Sequence, residues 1–174
     1  MAKTKWNREV AIRGALRRVF SRSPVIWEAL RKVRREVPRY RQDGSRAKKD
    51  AVQYLCNICK NYVRSTMVSV DHIIPVVSID EGFVDFNTFI ARLFCDASNL
   101  QVICDDDHQK KTNAERSERN RKKDLAELNQ IQSTIAWGLP KEHKKNLKRF
   151  LSPKKHGDVR TVAAGLIQQL EKMV

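Results

Sequence analysis

The sequence has no long apolar run. Nowhere do its 174 residues approach the roughly 18 consecutive apolar residues that a membrane-spanning helix needs, so no membrane partner is expected. The first residues, MAKTKWNREVAIRG, lack the apolar stretch and small-residue cleavage site of a secretory signal, which predicts a cytoplasmic chain. Aromatic residues are scarce, at 7%, and are not interleaved with the basic ones as base-stacking surfaces for single strands require. Internal repeats and low-complexity linkers are absent. Acidic residues are outnumbered, 20 Asp and Glu against 35 Lys and Arg, leaving a net charge of +15. An excess of that size points to a polyanionic partner, most simply nucleic acid.

The excess is uneven. Residues 1–50 carry a net +11, residues 51–112 a net −3, and residues 113–174 a net +7. Basic arms can neutralise phosphates, whereas an acidic centre is what a cation site requires. The organisation expected is a basic helical arm over 1–50, a core over 51–115 and a basic helical extension over 116–174. The length holds one compact domain with such arms.

Apolar residues from Trp6 to Phe20 fall mainly at helical spacing. Ser23 and Pro24 make a good helix start, and this second helix is expected to reach about Glu36 and stop before Pro38. Residues 42–45 read as a turn, and residues 66–70 as a strand. Asp85 is expected to cap a short helix through Phe94, with an extended segment from Asn99 to Cys104. A long polar helix follows from Asp105 toward Gln130. Beyond it, residues 132–156 hold a break at 138–140 and then a basic helix. Asp158 is expected to cap a last helix carrying Val162, Leu166, Ile167 and Leu170.

Cysteines stand at 56, 59, 95 and 104. Two thiolates separated by two residues can grip one tetrahedral Zn²⁺ from a tight turn, although a redox pair has the same spacing. Cys104 and Asp107 repeat that spacing and offer the second half of a site made of Cys56, Cys59, Cys104 and Asp107. Asp71 and His72 stand side by side after the expected strand. A carboxylate there can hold a hard divalent cation while the imidazole faces a water, or the two are simply a surface pair. Asn99 alone reads as a turn residue and His108 alone as a helix-start residue.

Taken in order, Cys56-x-x-Cys59, Asp71-His72-Ile73-x-Pro75, Asn99-Leu-Gln and Cys104-x-x-x-His108-x-x-Lys111-Thr112 resemble the HNH endonuclease family, and most of all its small bacteriophage-borne members. The likeness covers about residues 50–115. It implies an α+β, mostly helical fold around a ββα-metal core, two short strands and a helix holding one catalytic cation, Mg²⁺ or Mn²⁺. It further implies His72 as general base, Asp71 and His108 as cation ligands, and Asn99 as the residue that holds the loop positioning His72. The expected reaction is hydrolysis of phosphodiesters in double-stranded DNA, in homing or within a phage protein complex such as the packaging machinery. Family members with a zinc knuckle usually show a second Cys-x-x-Cys, and Asp107 stands where the last of those cysteines would be. Arg17, Arg18, Arg34 and Arg35, placed on the two N-terminal helices, are expected on the DNA backbone, as are Lys110 and Lys111. The alternative is a non-catalytic, zinc-stabilised nucleic-acid-binding module, or a phage accessory protein acting within a complex.

Overall fold

A computed structural model describes residues 6–135 and 146–172. The chain is α+β and mostly helical, and it divides into two compact units, Met1–Thr112 and Asn113–Val174. None of the described helices is long and apolar enough to cross a membrane. The break expected at 138–140 lies outside the described residues.

The first unit opens with helix α1 (Arg8–Phe20), where the Asn7 side chain accepts from the Val10 N–H at 3.1 Å. Helix α2 (Pro24–Lys32) starts as expected, with Ser23 as its cap and Pro24 in the first turn, where a missing N–H costs nothing. It ends four residues early. Residues Arg34–Val37 form strand β1, antiparallel to β2 (Ala51–Leu55), so Arg34 and Arg35 lie on a sheet and not on a helix. Pro38 disfavours helical backbone at Val37, and pairing with β2 satisfies the main-chain groups that a longer helix would have used. Across that pair Arg35 donates to the Gln53 side chain at 2.7 and 2.9 Å, and its guanidinium lies 3.4 Å from the Tyr62 ring centroid. Strand β3 (Tyr62–Arg64) completes a three-stranded sheet in the order β1-β2-β3. The expected turn at 42–45 is present, with Gly44 at φ 80°.

A second, two-stranded sheet positions the site. Strand β4 (Val68–His72) pairs antiparallel with β5 (Leu100–Cys104), matching Val68 with Cys104 and His72 with Leu100. The strand expected over 66–70 is thus shifted toward His72, and residues 65–67 form a 3₁₀ turn. Between the strands lies helix α3 (Phe86–Leu93), capped by Asp85, whose carboxylate accepts from the Thr88 N–H and hydroxyl, each at 2.8 Å. These bonds hold the Asp85 carboxyl below its ordinary value. α3 buries Phe89 and Leu93 against Phe20, Ala29, Val76 and Leu100. β5 runs without a loop into α4 (Asp105–Ile135), whose first turn carries Asp105, Asp106 and Asp107 at the end where negative charge is favoured.

In the second unit, α4 from Asn113 onward, a 3₁₀ turn at Arg149–Leu151 and helix α5 (Gly157–Lys172) enclose a separate apolar core. Leu128, Leu147, Phe150 and Val159 are completely or almost completely buried there, each contributing about 1.5–3 kcal/mol. The buried stripe of α5 is Val159, Ala163, Leu166 and Leu170, with Val162 and Ile167 packing on its flanks. The helix starts one residue before Asp158, which therefore lies in the first turn and binds the Val159 N–H and Arg121. Lys155 places its ammonium between both Asp124 oxygens at 2.7 and 2.8 Å. Glu118 and Asp158 together raise the Arg121 guanidinium above its ordinary value.

Candidate metal centre and the His72 edge

The chain forms the knuckle by turning sharply between β2 and β3. The Cys56 N–H donates to the Asn61 carbonyl at 2.9 Å and the Lys60 N–H to the Cys56 carbonyl at 3.1 Å, with Lys60 itself at φ 60°. The Asn57 N–H donates to the Val102 carbonyl at 2.8 Å, which fastens this turn to β5. Cys56 and Cys59 are thereby brought to Cys104, the last residue of β5, and Asp107, in the first turn of α4. The metal-binding atoms of these four residues all lie within 4.8 Å of one another. Cys59 Sγ is 4.0 Å from Cys104 Sγ, and Asp107 Oδ2 is 3.3 Å from Cys56 Sγ and 3.2 Å from Cys104 Sγ. All four cysteines are free thiols, and 4.0 Å is about twice the length of a disulfide. Among the described residues this is the one convergence of three or more His, Cys, Asp or Glu ligand atoms. Three sulfurs and one oxygen so placed can hold a metal ion.

The electrostatics around these donors oppose each other. Burial pushes the Cys104 thiol up to about 12; the Asp107 backbone N–H opposes this, and the side-chain contacts with Asp107, Cys56 and Cys59 add to it. Asp107 is held down to about 2 because the Cys104, Cys56 and Cys59 thiols all donate to its carboxylate. Burial also raises Cys56, but the backbone N–H groups of Cys104, Cys59 and Ile58 outweigh it and leave the thiol below its ordinary value. The Cys104 N–H donates to Cys56 Sγ at 3.3 Å. Thus Asp107 is already anionic, Cys56 is eased toward thiolate, and Cys104 gives up its proton only to something that compensates the charge. Cys95 takes no part and packs against the α1–α3 core.

Of the expected catalytic residues, Asp71, His72 and Asn99 lie at the other end of the β4–β5 ladder. His72 Nε2 lies 3.0 Å from the Leu93 carbonyl, and the ring packs tilted against Phe20, centroids 5.2 Å apart. A carbonyl can only accept, so Nε2 carries the hydrogen and Nδ1 is the nitrogen left to meet another partner. Asn99 holds the following loop twice: its carbonyl accepts from the Ile73 N–H at 2.8 Å and its Oδ1 from the Ile74 N–H at 2.9 Å. Asp71, cross-strand from Gln101, is bound by the Lys111 ammonium at 2.5 Å, and the same ammonium donates to the His72 carbonyl at 2.8 Å. His108 is half-buried one helical turn before Lys111, on the same face of α4. Asp71, His72 and His108 do not draw their ligand atoms together as the knuckle does.

The residues expected on DNA are dispersed within the first unit. Arg17 lies over the Phe89 ring, Arg18 is exposed, Arg34 pairs with Glu36, and Arg35 is engaged by Gln53 and Tyr62. Lys110 pairs with Asp107 at 3.4 Å while remaining largely exposed. The sheet adds a cationic surface. A groove of about 760 Å³ is lined by Arg39, Tyr40, Lys49 and Arg64 with Asp50, and a second by Arg34, Arg46 and Lys48 with Glu36 and Asp50, so cations outnumber acids in both. That Arg64 lines the same groove as Arg39 has no local signal, because it takes both the β1–β2 and the β2–β3 pairings to bring their segments together. The pairing of Lys111 with Asp71, 40 residues apart, likewise has no local signal. No protein-family model, curated protein or solved structure matches the chain.

Proposed function

We propose that the chain is a metal-dependent endonuclease of the HNH type, hydrolysing phosphodiester bonds of double-stranded DNA. One observation carries this reading: an imidazole anchored through Nε2–H to a backbone carbonyl, beside a carboxylate, on a loop held by Asn99. Anchored in this way, His72 presents Nδ1 as a base of fixed orientation, able to take the proton of a water attacking phosphorus. Asp71 and His108 are the residues that would hold the cation. The ammonium seated on Asp71 and the His72 carbonyl supports Asp71 in that role, because its carboxylate already balances a positive charge. A bound Mg²⁺ or Mn²⁺ would supply Lewis-acid stabilisation of the charge that grows on the phosphate and the departing 3′ oxygen. The cationic grooves would hold the DNA backbone with little regard to sequence and with strong dependence on salt.

The ion we assign to the knuckle is Zn²⁺. Around one zinc, tetrahedral sulfur positions stand roughly 3.8 Å apart and sulfur–oxygen pairs about 3.5 Å, close to the 4.0, 3.3 and 3.2 Å found. Three thiolates also disfavour the hard cations. Its role is structural, joining the β2–β3 turn to the β5–α4 junction. The family resemblance extends the proposal to a phage-encoded enzyme of the host cytoplasm, acting in homing or in DNA packaging.

Plasmid cleavage tests the catalytic reading. Wild type should nick with Mg²⁺ or Mn²⁺ and not with EDTA, whereas His72→Ala should bind DNA equally and lose about 10²-fold or more in rate. DNA binding by both proteins with nicking by neither, under any metal, refutes the nuclease. The second reading, a metal-stabilised binding module without catalysis, then prevails. It is favoured by the occupation of Asp71 by Lys111.

A further inference from the structure

Lys111 occupies an unusual place for a lysine on a highly basic chain. Its ammonium bonds Asp71 Oδ2 at 2.5 Å and the His72 carbonyl at 2.8 Å, and both side chains of the pair are only 22% exposed. Neither partner sits on a loose segment. Asp71 belongs to the β4–β5 ladder, and Lys111 follows the β5–α4 junction by fewer than two helical turns. The neighbouring Lys110 shows the contrast: it is 78% exposed and reaches Asp107 at only 3.4 Å. A solvated phosphate-binding lysine would resemble Lys110. Lys111 instead neutralises a carboxylate that would be costly to leave unpaired at this depth.

We propose that Lys111 is the resident counter-cation of Asp71, which a divalent ion must displace before the His72 edge is competent to cut. This rests on the HNH reading of Asp71 as a cation ligand. The lysine and the ion compete for one carboxylate oxygen, and each lowers the other's affinity by the same factor. Without divalent ion, the ammonium keeps Asp71 and the His72 carbonyl in register and the edge stays folded. With it, the lysine leaves Asp71 and its charge becomes available to an anionic substrate. Lys111 is a positioning residue here, acting through Asp71.

The test uses the full-length, zinc-loaded protein without DNA and follows Mn²⁺ binding from the paramagnetic resonance of the free ion. Lys111→Gln keeps a donor for the His72 carbonyl but removes the charge, and it should bind Mn²⁺ more tightly than wild type, by about fivefold. Lys111→Arg should gain nothing, and Asp71→Asn should not bind. Equal or weaker binding by Lys111→Gln overturns the exchange and leaves the nuclease proposal standing. Failure of wild type and Lys111→Gln alike to take up Mn²⁺, with zinc retained, overturns both. A second measurement keeps the pair intact: the Lys111 ammonium resonance, assigned by its loss in Lys111→Arg, should shift as Mg²⁺ is added to wild type. A resonance unmoved at saturating Mg²⁺ also overturns the exchange.

Discussion

At the Cys104 end of the β4–β5 ladder four donors converge on one another, with the exposed Lys110 reaching only the outer oxygen of Asp107 at 3.4 Å, whereas at the His72 end a lysine ammonium sits directly on the carboxylate. The two ends are separated by the length of β5, about 14 Å. They share β5 and the first turns of α4; the knuckle adds the β2–β3 turn, and the His72 edge adds β4 and the end of α3. The difference lies in what satisfies the charge. The knuckle's thiols share their hydrogens with Asp107, and three backbone hydrogen bonds hold the turn that carries Cys56 and Cys59, an arrangement suited to an ion that never leaves. At the His72 edge one lysine answers one carboxylate, and the imidazole is fixed from behind through Leu93. That arrangement suits an ion that comes and goes.

The largest expected effect separates the two ends by metal removal. A strong chelator should unfold the knuckle and cost the first unit its cooperative transition, since structural zinc contributes on the order of 10 kcal/mol in small domains. Removing only Mg²⁺ or Mn²⁺ should leave the fold intact and stop cleavage. Circular dichroism melts with each treatment check this, and equal melts under both would erase the distinction. Because Cys104 holds its proton up to about 12 without metal, zinc uptake should release protons and weaken steeply as pH falls, measurable by calorimetry in buffers of different ionisation heat. Next in size, His72→Ala should lose cleavage while keeping zinc and stability.

Asn99→Ala is a smaller perturbation. It removes the acceptor of the Ile74 N–H and should cost about 1 kcal/mol in urea denaturation, with a fall in cleavage and no change in zinc content. A change in zinc content would mean that the two ends are coupled. Smallest is an acid effect on the His72 side. Asp85 caps α3, whose Leu93 carbonyl anchors His72, and its carboxyl is held below the ordinary 3.8. Its contribution is therefore complete above about pH 4 and is lost as pH falls through the lowered value. Asp85→Asn should flatten that part of the acid melting profile; an unchanged profile would remove Asp85 from the account.

What the sequence disclosed follows the range of the interactions. The knuckle was readable because its two halves, Cys56 to Cys59 and Cys104 to Asp107, are each set by one local turn. The Asp85 cap and the α4 start were readable for the same reason. β1 was not: Arg34-Arg35-Glu36-Val37 has no apolar alternation, and only its partner β2, beginning at Ala51, makes it a strand. The buried stripe of α5 was displaced by part of a turn, because Val162 and Ile167 are as apolar as the Val159 and Ala163 that face inward. The anchoring of His72 by Leu93 depends on how α3 folds back, and the identity of residue 93 carries no sign of it, since the contact is through its carbonyl.

The direct passage of β5 into α4 has a genetic consequence. Each residue after Cys104 is set about 100° around the helix and about 1.5 Å along it from the last, so Asp107 and Lys111, four residues apart, share a face, and each meets its partner only while that phase is kept. Insertion or deletion of a single codon between 104 and 111 would rotate one of them away from its partner. Tolerated length variation should fall in the loop before Asp85, where no helical phase is kept. A library of one-codon insertions would show the junction as a gap in the map of survivors.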